Sequence, residues 1–350
     1  MSQKTIELVS AGYFSTIQDR GRHRFRRYGM PACGAADVRS HDFANAILGN
    51  SPDAATIECT LNGPTIRFAQ RTWFAITGRD PEIHLDGVCV KPWQAHLSER
   101  GATLSVRVKT GLRCYIAFEG GIGVPLLMGS RSTYCAASTG GHEGRALKPK
   151  DRLVLNPGVA PPGSLACDTS VPVPNQWNPP NYCCERALRV VLGPQHDLFC
   201  EEAIETLLSS EYKVTNHSDR MGVRLDGALL KHKSGADIVS DGTLPGAIQV
   251  PGHGLPIVLL ADCQTTGGYT KIACVISADL PLLAQKAPGE SVRFCKVSTD
   301  EAIEAARQQA EEVAVFRKML LEQAKTRAAR ARHYSVTLHG NVYSVTVEPH

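Results

Sequence analysis

Residues 218–285 gather side chains that can hold charge, donate hydrogen bonds and move protons. The stretch contains SDRMGVRL (218–225), GAIQVP (246–251), LLADCQTTGGYTK (259–271) and DLPLLAQ (279–285). Asp219, Arg220 and Arg224 flank a Met-Gly turn. Gln249, Asp262, Gln264, Thr265, Thr266, Tyr269 and Lys271 follow, and Gly267-Gly268 lets a ligand approach the backbone. Paired donors and acceptors of this kind hold a planar amide or urea-like group, or stabilise a developing oxyanion. Lys271 or an aspartate moves a proton where its pKa is tuned. The competing reading is a buried polar network that fixes loops. Cys263, inside the cluster, is the one thiol placed for catalysis.

A second set is TIQDRGR (16–22). Gln18 and Asp19 supply an amide and a carboxylate, Gly21 permits a tight turn, and Arg22 can fork onto a carboxylate or phosphate. The alternative is an Asp19–Arg22 pair bracing that turn. YGMPACGAAD (28–37) runs into a helix start, which either holds an anion or is capped by Asp37. Glu58, after an apolar run, is a site residue or a strand-end partner. Arg131 and Arg145 lie in glycine-rich loops and can read phosphate or carboxylate. These loops lack Walker A and G-x-G-x-x-G spacing, and there is no G-x-S-x-G elbow, H-E-x-x-H helix or EF-hand loop. No metal is expected.

These residues need a scaffold, and the patterning is mainly β. Short β-like runs at 5–9, 65–68, 73–77, 103–108 and 114–118 are separated by Gly, Pro, Asn and Asp. A helix is expected at 36–48, with Val38, Phe43, Ala44, Ile47 and Leu48 on one face. The segment from 156 is rich in proline and reads as an extended connector. Beyond it come strands at 188–192, 212–216, 222–225, 247–250, 257–260, 273–276 and 292–295, with a helix at 197–208. Many short strands with Gly/Pro turns imply barrels or sandwiches. Ser298-x-x-Glu301 is a capping box opening a long helix, with a stripe of Ile303, Ala306, Ala310, Val313, Phe316, Leu320 and Ala324. YSVTLHGNVYSVTVE (334–348) reads as a β-hairpin. The expected division is an N-terminal β-rich domain at 1–155, a linker at 156–184, a C-terminal β domain at 185–297, a helix at 298–333 and a hairpin tail at 334–350.

The bulk numbers agree with two domains. The chain has 350 residues and a net charge of +4, too weak to argue for nucleic acid. No apolar run reaches the roughly 18 residues of a membrane span, and MSQKTIELVS lacks the apolar core of a signal peptide. The expectation is a soluble, cytoplasmic protein. Its 12 cysteines show no C-x-x-C pair and are expected to be free thiols acting as small core residues.

Taken in order, TIQDRGR, YGMPACGAAD, ECTLNGP, GSRST, GPQHDLF, SDRMGVRL, GAIQVP and LADCQTTGGYTKIA resemble the KipA family. This family is also called allophanate hydrolase subunit 2 or the 5-oxoprolinase C subunit, and it is similar to part of the carboxyltransferase region of urea carboxylase. The resemblance spans about residues 6–294. It implies two cyclophilin-like β-barrel domains, a KipI-type partner subunit and, in some complexes, a YcsF/LamB-type subunit. It implies ATP-dependent opening of the lactam 5-oxoproline within the complex. One alternative is transfer of a carboxyl group from carboxybiotin, on a separate biotin carrier, to a urea-like or amide nitrogen. The other is a non-catalytic regulator antagonising a KipI-type kinase inhibitor.

On this reading Asp19, Arg22, Asp219, Arg220, Gln249, Asp262, Gln264 and Lys271 are the catalytic candidates. Gln18, Glu58, Arg131, Arg224, Thr265, Thr266 and Tyr269 are the substrate-binding candidates. Arg79 departs from the family pattern, which commonly has Ala there. The terminal hairpin resembles the opening strands of a biotinyl carrier domain, but no Met-Lys-Met site follows, so this chain is not expected to carry biotin.

Overall fold

In the computed structural model, two sets of β-sheet are followed by one long helix, the mainly β architecture that the sequence implies. The structure describes residues 3–165, 168–183, 185–339 and 341–347; Cys184, and Gly340 and Glu348 of the expected hairpin segment, lie outside the described residues.

The N-terminal strands form two antiparallel six-stranded sheets. One runs in the order Arg152–Val154, Thr5–Ser10, Asn62–Phe68, Thr103–Val108, Pro81–Leu85, Val88–Val90. The other runs Ser170–Val171, Ala95–Ser98, Thr72–Gly78, Arg113–Phe118, Thr56–Thr60, Phe14–Gln18. Thr72–Gly78 and Arg113–Phe118 are buried at every position, so they carry long apolar runs instead of an alternation. The sheets meet face to face, with Phe68 stacked 5.6 Å from Phe74 and 6.2 Å from Phe118. Helix α1 (Val38–Ile47) packs on the other face of the second sheet. It starts where expected: the Asp37 side chain accepts the Ser40 N–H.

The C-terminal sheet has eight strands, ordered Ser291–Val292, Tyr212–Val214, Gly222–Asp226, Ile257–Leu259, Ala247–Gln249, Lys271–Val275, Leu188–Leu192, Phe294–Lys296. Its first and last strands are separated in the chain by Arg293 alone. One residue spans at most about 3.6 Å, so the two edges are brought together and the sheet curls into a nearly closed barrel. A separate two-stranded ribbon, Asp237–Gly242 with Thr266–Tyr269, stands beside it.

Two helix expectations need correction. The helix expected at 197–208 is a 3-10 turn, His196–Leu198, followed by α2 (Glu201–Ser209). Phe199 between them is extended and bridges His232, which delays the helix start. A short α3 (Leu280–Ala284) carries Pro281 in its first turn. Helix α4 (Thr299–Arg330) opens with the expected capping box: Ser298 accepts the Glu301 N–H, and the Glu301 carboxylate accepts the Ser298 N–H. Of its stripe, Val313, Phe316 and Leu320 are buried, but Ile303 is 46% exposed. The first turns rest on the Ile276–Ala278 corner through Ala305 instead.

One hydrophobic core joins the parts. It contains Phe43 of α1, Trp73 and Trp93 of the N-terminal region, Val190 and Ile248 of the barrel, and Phe316 of α4. Trp177, from the proline-rich segment, lies 4.3 Å from Phe316 and 5.1 Å from Phe43. That segment is therefore anchored, and its Ser170–Val171 pairs with Ala95 and His96. The terminal strands Arg332–Leu338 and Asn341–Val347 pair antiparallel, Leu338 opposite Asn341, as the alternating pattern predicts. Among the described residues no helix is long and apolar enough to cross a membrane, and the described cysteines are free.

Candidate functional site

The densest buried chemistry lies where the two β units meet. Gly222 pairs with Leu259, so the residues just before one strand and just after the other leave the same end of the ladder. Arg220 and Asp262 are those residues. The Arg220 guanidinium forks onto Asp262 through Nε at 2.9 Å and Nη2 at 2.8 Å, and Nη2 also reaches Gly34 C=O at 2.7 Å. Nη1 crosses to Glu58 of the N-terminal sheet. Glu58 sits opposite Tyr115 in the ladder, so the Tyr115 hydroxyl donates to it at 2.7 Å, while the Ala36 N–H donates at 2.9 Å. Arg113 Nε stands 3.6 Å from the same carboxylate.

Glu58 is 1% exposed, and Arg220 and Asp262 are 7% exposed. Burial pushes the Glu58 carboxyl up, but the Arg220 and Arg113 cations and the two donors outweigh it and hold it below its ordinary value. Burial likewise works against charge on Arg220, and Asp262 and Glu58 reverse it, keeping the guanidinium charged.

A cleft of about 940 Å³ opens above this network. Arg113, Arg220 and Asp262, all nearly buried, form its floor. Phe14, Leu61 and Tyr134 line one side, and Val214, Met221 and Pro288 the other. Apolar walls over a few convergent polar groups are the usual make-up of a small-molecule site. Asp219 also lines the cleft, but its carboxylate accepts the Met221 and Gly222 N–H groups at 2.8 and 3.1 Å and so shapes the turn. Arg224 is exposed on its strand and is not brought to the cleft.

The TIQDRGR residues do a different job. Its first three residues end the strand Phe14–Gln18, and the Asp19–Arg22 pair of the alternative reading does not form. Asp19 accepts from Gly21 N–H at 2.8 Å, Ser130 Oγ at 2.7 Å, Arg131 N–H at 2.6 Å and Ser132 Oγ. Arg22, 1% exposed, donates to the Ser132 carbonyl, and its Nε and Nη1 have no hydrogen-bond partner among the described residues. The Gln18 amide donates to Thr16 Oγ1 and Thr133 C=O. Arg131 directs its Nε to Val124 C=O at 3.0 Å. The loop at 130–133 is thus clamped to the end of the strand Phe14–Gln18.

Burial pushes the Asp19 carboxyl up, yet the donors from Ser132, Arg131, Ser130 and Gly21 win and hold it below the usual carboxylate range. A carboxyl held low in the folded state stabilises above its unfolded pKa, and that contribution is lost as pH falls through the folded value. Asp19→Asn is expected to cost about 2–3 kcal/mol at pH 7 and to lose less further stability than the parent below about pH 4. Urea midpoints against pH for both proteins measure this; parallel curves would refute it.

The third group flanks the ribbon. Gln249 and Lys271 face each other in the barrel ladder. Lys271 Nζ lies 3.1 Å from Asp241 Oδ2 but outside hydrogen-bond geometry. Gln264 Nε2 donates to Gln249 Oε1 at 3.2 Å. Thr265 C=O accepts the Thr243 N–H at 3.0 Å, Thr266 pairs with Gly242, and Tyr269, paired with Asp237, is 42% exposed. Arg26 joins this group to the N-terminal unit through Thr243 C=O at 2.6 Å and Gln264 C=O at 3.1 Å. Cys263 is fully buried beside Arg26; burial raises its thiol pKa despite that cation, which keeps it protonated and unreactive.

Sequence reasoning missed Arg113, Tyr134, Asp241 and Arg26. Arg113 opens an otherwise apolar strand, which is a readable anomaly; Asp241 sits in a polar, exposed stretch and gives no such signal. Arg79, the departure from the family pattern, forms an ion pair with Glu290 at 2.7 Å and links the two β units.

Comparison with known proteins places this geometry. The model of the carboxyltransferase domain, subdomain A and B, matches residues 28–296. The chain is 37% identical over 305 residues to the 5-oxoprolinase C subunit of Escherichia coli (strain K12), covering 87% of this chain and 95% of that protein. It is 34% identical over 312 residues to urea amidolyase of Lachancea kluyveri, covering 84% of this chain but 17% of that one. The crystal structure of Kluyveromyces lactis urea carboxylase superposes with a TM-score of 0.82 at 30% identity, covering 90% of this chain and 29% of that one. The chain therefore spans nearly all of its bacterial relative and less than a third of the fungal enzymes. It belongs to the carboxyltransferase-domain family, subdomains A and B, of which the 5-oxoprolinase C subunit is a member.

Proposed function

We propose that this chain is the KipA-type subunit of an ATP-dependent 5-oxoprolinase, acting in the cytoplasm with a KipI-type partner and a YcsF/LamB-type subunit. The observation that carries the reading is the match along 95% of the 5-oxoprolinase C subunit of Escherichia coli. The cleft between the β units is the proposed site. Its apolar walls exclude water from a small ring, and its floor supplies fixed donors for an amide or lactam oxygen.

The floor does not fit a triphosphate. Arg113, Arg220 and Lys286 bring three positive charges, and Glu58, Asp262 and Asp219 return three negative ones, so the cleft offers no excess of cations. We therefore derive no step through ATP at this cleft and assign nucleotide use to the assembled complex.

The test is co-expression with both partner types and measurement of ATP-dependent glutamate release from 5-oxoproline. Turnover by the full set is the expected result; none under any pairing refutes the reading.

The superposition on urea carboxylase favours a second reading, a carboxyltransferase subunit that receives carboxybiotin from a separate carrier and acts on a urea or amide nitrogen. Product carboxylation that requires a biotinylated carrier, with no glutamate release, would establish it instead.

A further inference from the structure

Lys271 is 3% exposed, and its Nζ has no hydrogen-bond partner among the described residues. A buried ammonium carries three donors and is costly without compensation. The compensation here comes from Asp241, whose side chain is 53% exposed and stands 3.1 Å away. Lys271 and the Gln195 amide, at 3.2 Å, hold that carboxylate from one side. Directly across the ladder, Gln249 is 3% exposed and its Nε2 is also without a partner among the described residues. Gln249 Nε2, without a partner among the described residues, and Lys271 Nζ, faced by Asp241 alone, thus stand on opposed positions of neighbouring strands, and the carboxylate comes from outside.

The element that brings Asp241 is weakly held. Asp237–Gly242 is exposed at all but one position and pairs only with Thr266–Tyr269 in its two-stranded sheet. Their register slips between Asp237 and Asp241. A two-stranded ribbon is marginal alone, so a carboxylate of equal charge can take its place at small cost.

We propose that Lys271 and Gln249 form a subsite for a ligand carboxylate, filled in this structure by Asp241 as an internal stand-in that the ligand displaces. The subsite follows from the geometry and lies outside the lining of the cleft, so it is a second ligand position; the choice of 5-oxoproline, whose ring bears a carboxylate, rests on the function proposed above. Gly267 fits the same design. A Cβ there would meet Gln249 Nε2 at 2.6 Å and Thr243 Cγ2 at 3.1 Å, so only glycine leaves the amide undisturbed.

The test titrates the full chain with 5-oxoproline and with 2-pyrrolidinone, the same ring without the carboxylate, by calorimetry. The acid should bind at least about tenfold more tightly than the neutral ring. Asp241→Asn removes the competitor and should tighten 5-oxoproline binding severalfold. Lys271→Gln should weaken it at least about tenfold and erase the preference over 2-pyrrolidinone. Gly267→Ala, which displaces the amide without backbone strain, should weaken it a few-fold. Equal binding of the two rings, no binding of either, or no gain in Asp241→Asn overturns the subsite. The two proposals fail separately. Turnover by the complex, with 5-oxoproline binding unchanged in both Asp241→Asn and Lys271→Gln, refutes the subsite alone. Carboxylate-dependent binding without turnover refutes the oxoprolinase reading alone.

Discussion

Arg220→Met is expected to destabilise the protein by about 3–5 kcal/mol, the usual cost of removing one partner from a buried ion pair. The reason is asymmetric burial. Asp262 lines the cleft and can be rehydrated there, but Glu58, 1% exposed, keeps a single cation, Arg113 at 3.6 Å, beside its Tyr115 and Ala36 donors. A buried carboxylate short of its cation has no cheap alternative to protonation. The loss should therefore grow as pH rises above the ordinary glutamate value of about 4.3. Adding Glu58→Gln to Arg220→Met should restore part of the loss, because the orphaned charge is gone. Guanidinium denaturation of the two single variants and the double variant gives the coupling. A loss below about 1 kcal/mol in Arg220→Met would show that the network is not holding the β units together.

The second large effect belongs to α4. Phe316→Ala is expected to cost about 3–5 kcal/mol. Phe316 is fully buried, with its ring 5.1 Å from Phe43 of α1 and 4.3 Å from Trp177 of the proline-rich segment. Truncation leaves a hollow between three separate pieces of chain, and large rings collapse into such space poorly. Because Trp93 and Trp177 share the cluster, at 5.9 Å, intrinsic fluorescence should shift red in the variant before the barrel unfolds. An unchanged emission maximum with an unchanged midpoint would refute this role for the helix.

Much of the architecture was legible because local signals agreed with tertiary needs. The Asp37 cap, the Ser298–Glu301 box and the strands around 103–108 and 188–192 stand where their patterns put them. Two of the strands that escaped notice share a cause. In Phe14–Gln18, Ser15, Thr16 and Gln18 are all buried, so polarity does not alternate with exposure. In Thr56–Thr60, Glu58 occupies a core position that only a distant arginine makes tolerable.

The site shows the same limit. Glu58, Arg220 and Asp262 were readable one by one as candidates, but Glu58 and Arg220 are 162 positions apart, and only the packing of the two units joins them. Asp19 has the residue type of a catalytic acid, yet its four donors come largely from the loop at 130–132, more than a hundred positions away. Lys271 and Gln249 required the ladder register, and Asp241 had no local mark at all.

The single-residue join at Arg293 bears on how other subunits can be recognised. A flat sheet offers a row of unpaired N–H and C=O groups, along which a second chain can lay itself as one more strand. Here the two margins of the eight-stranded sheet are consecutive pieces of the same chain, only two and three residues long. Backbone addition to that sheet has almost no template. A partner of that sheet would have to recognise side chains on its loops, so partner choice there would be set by residue identity and could change without altering the barrel.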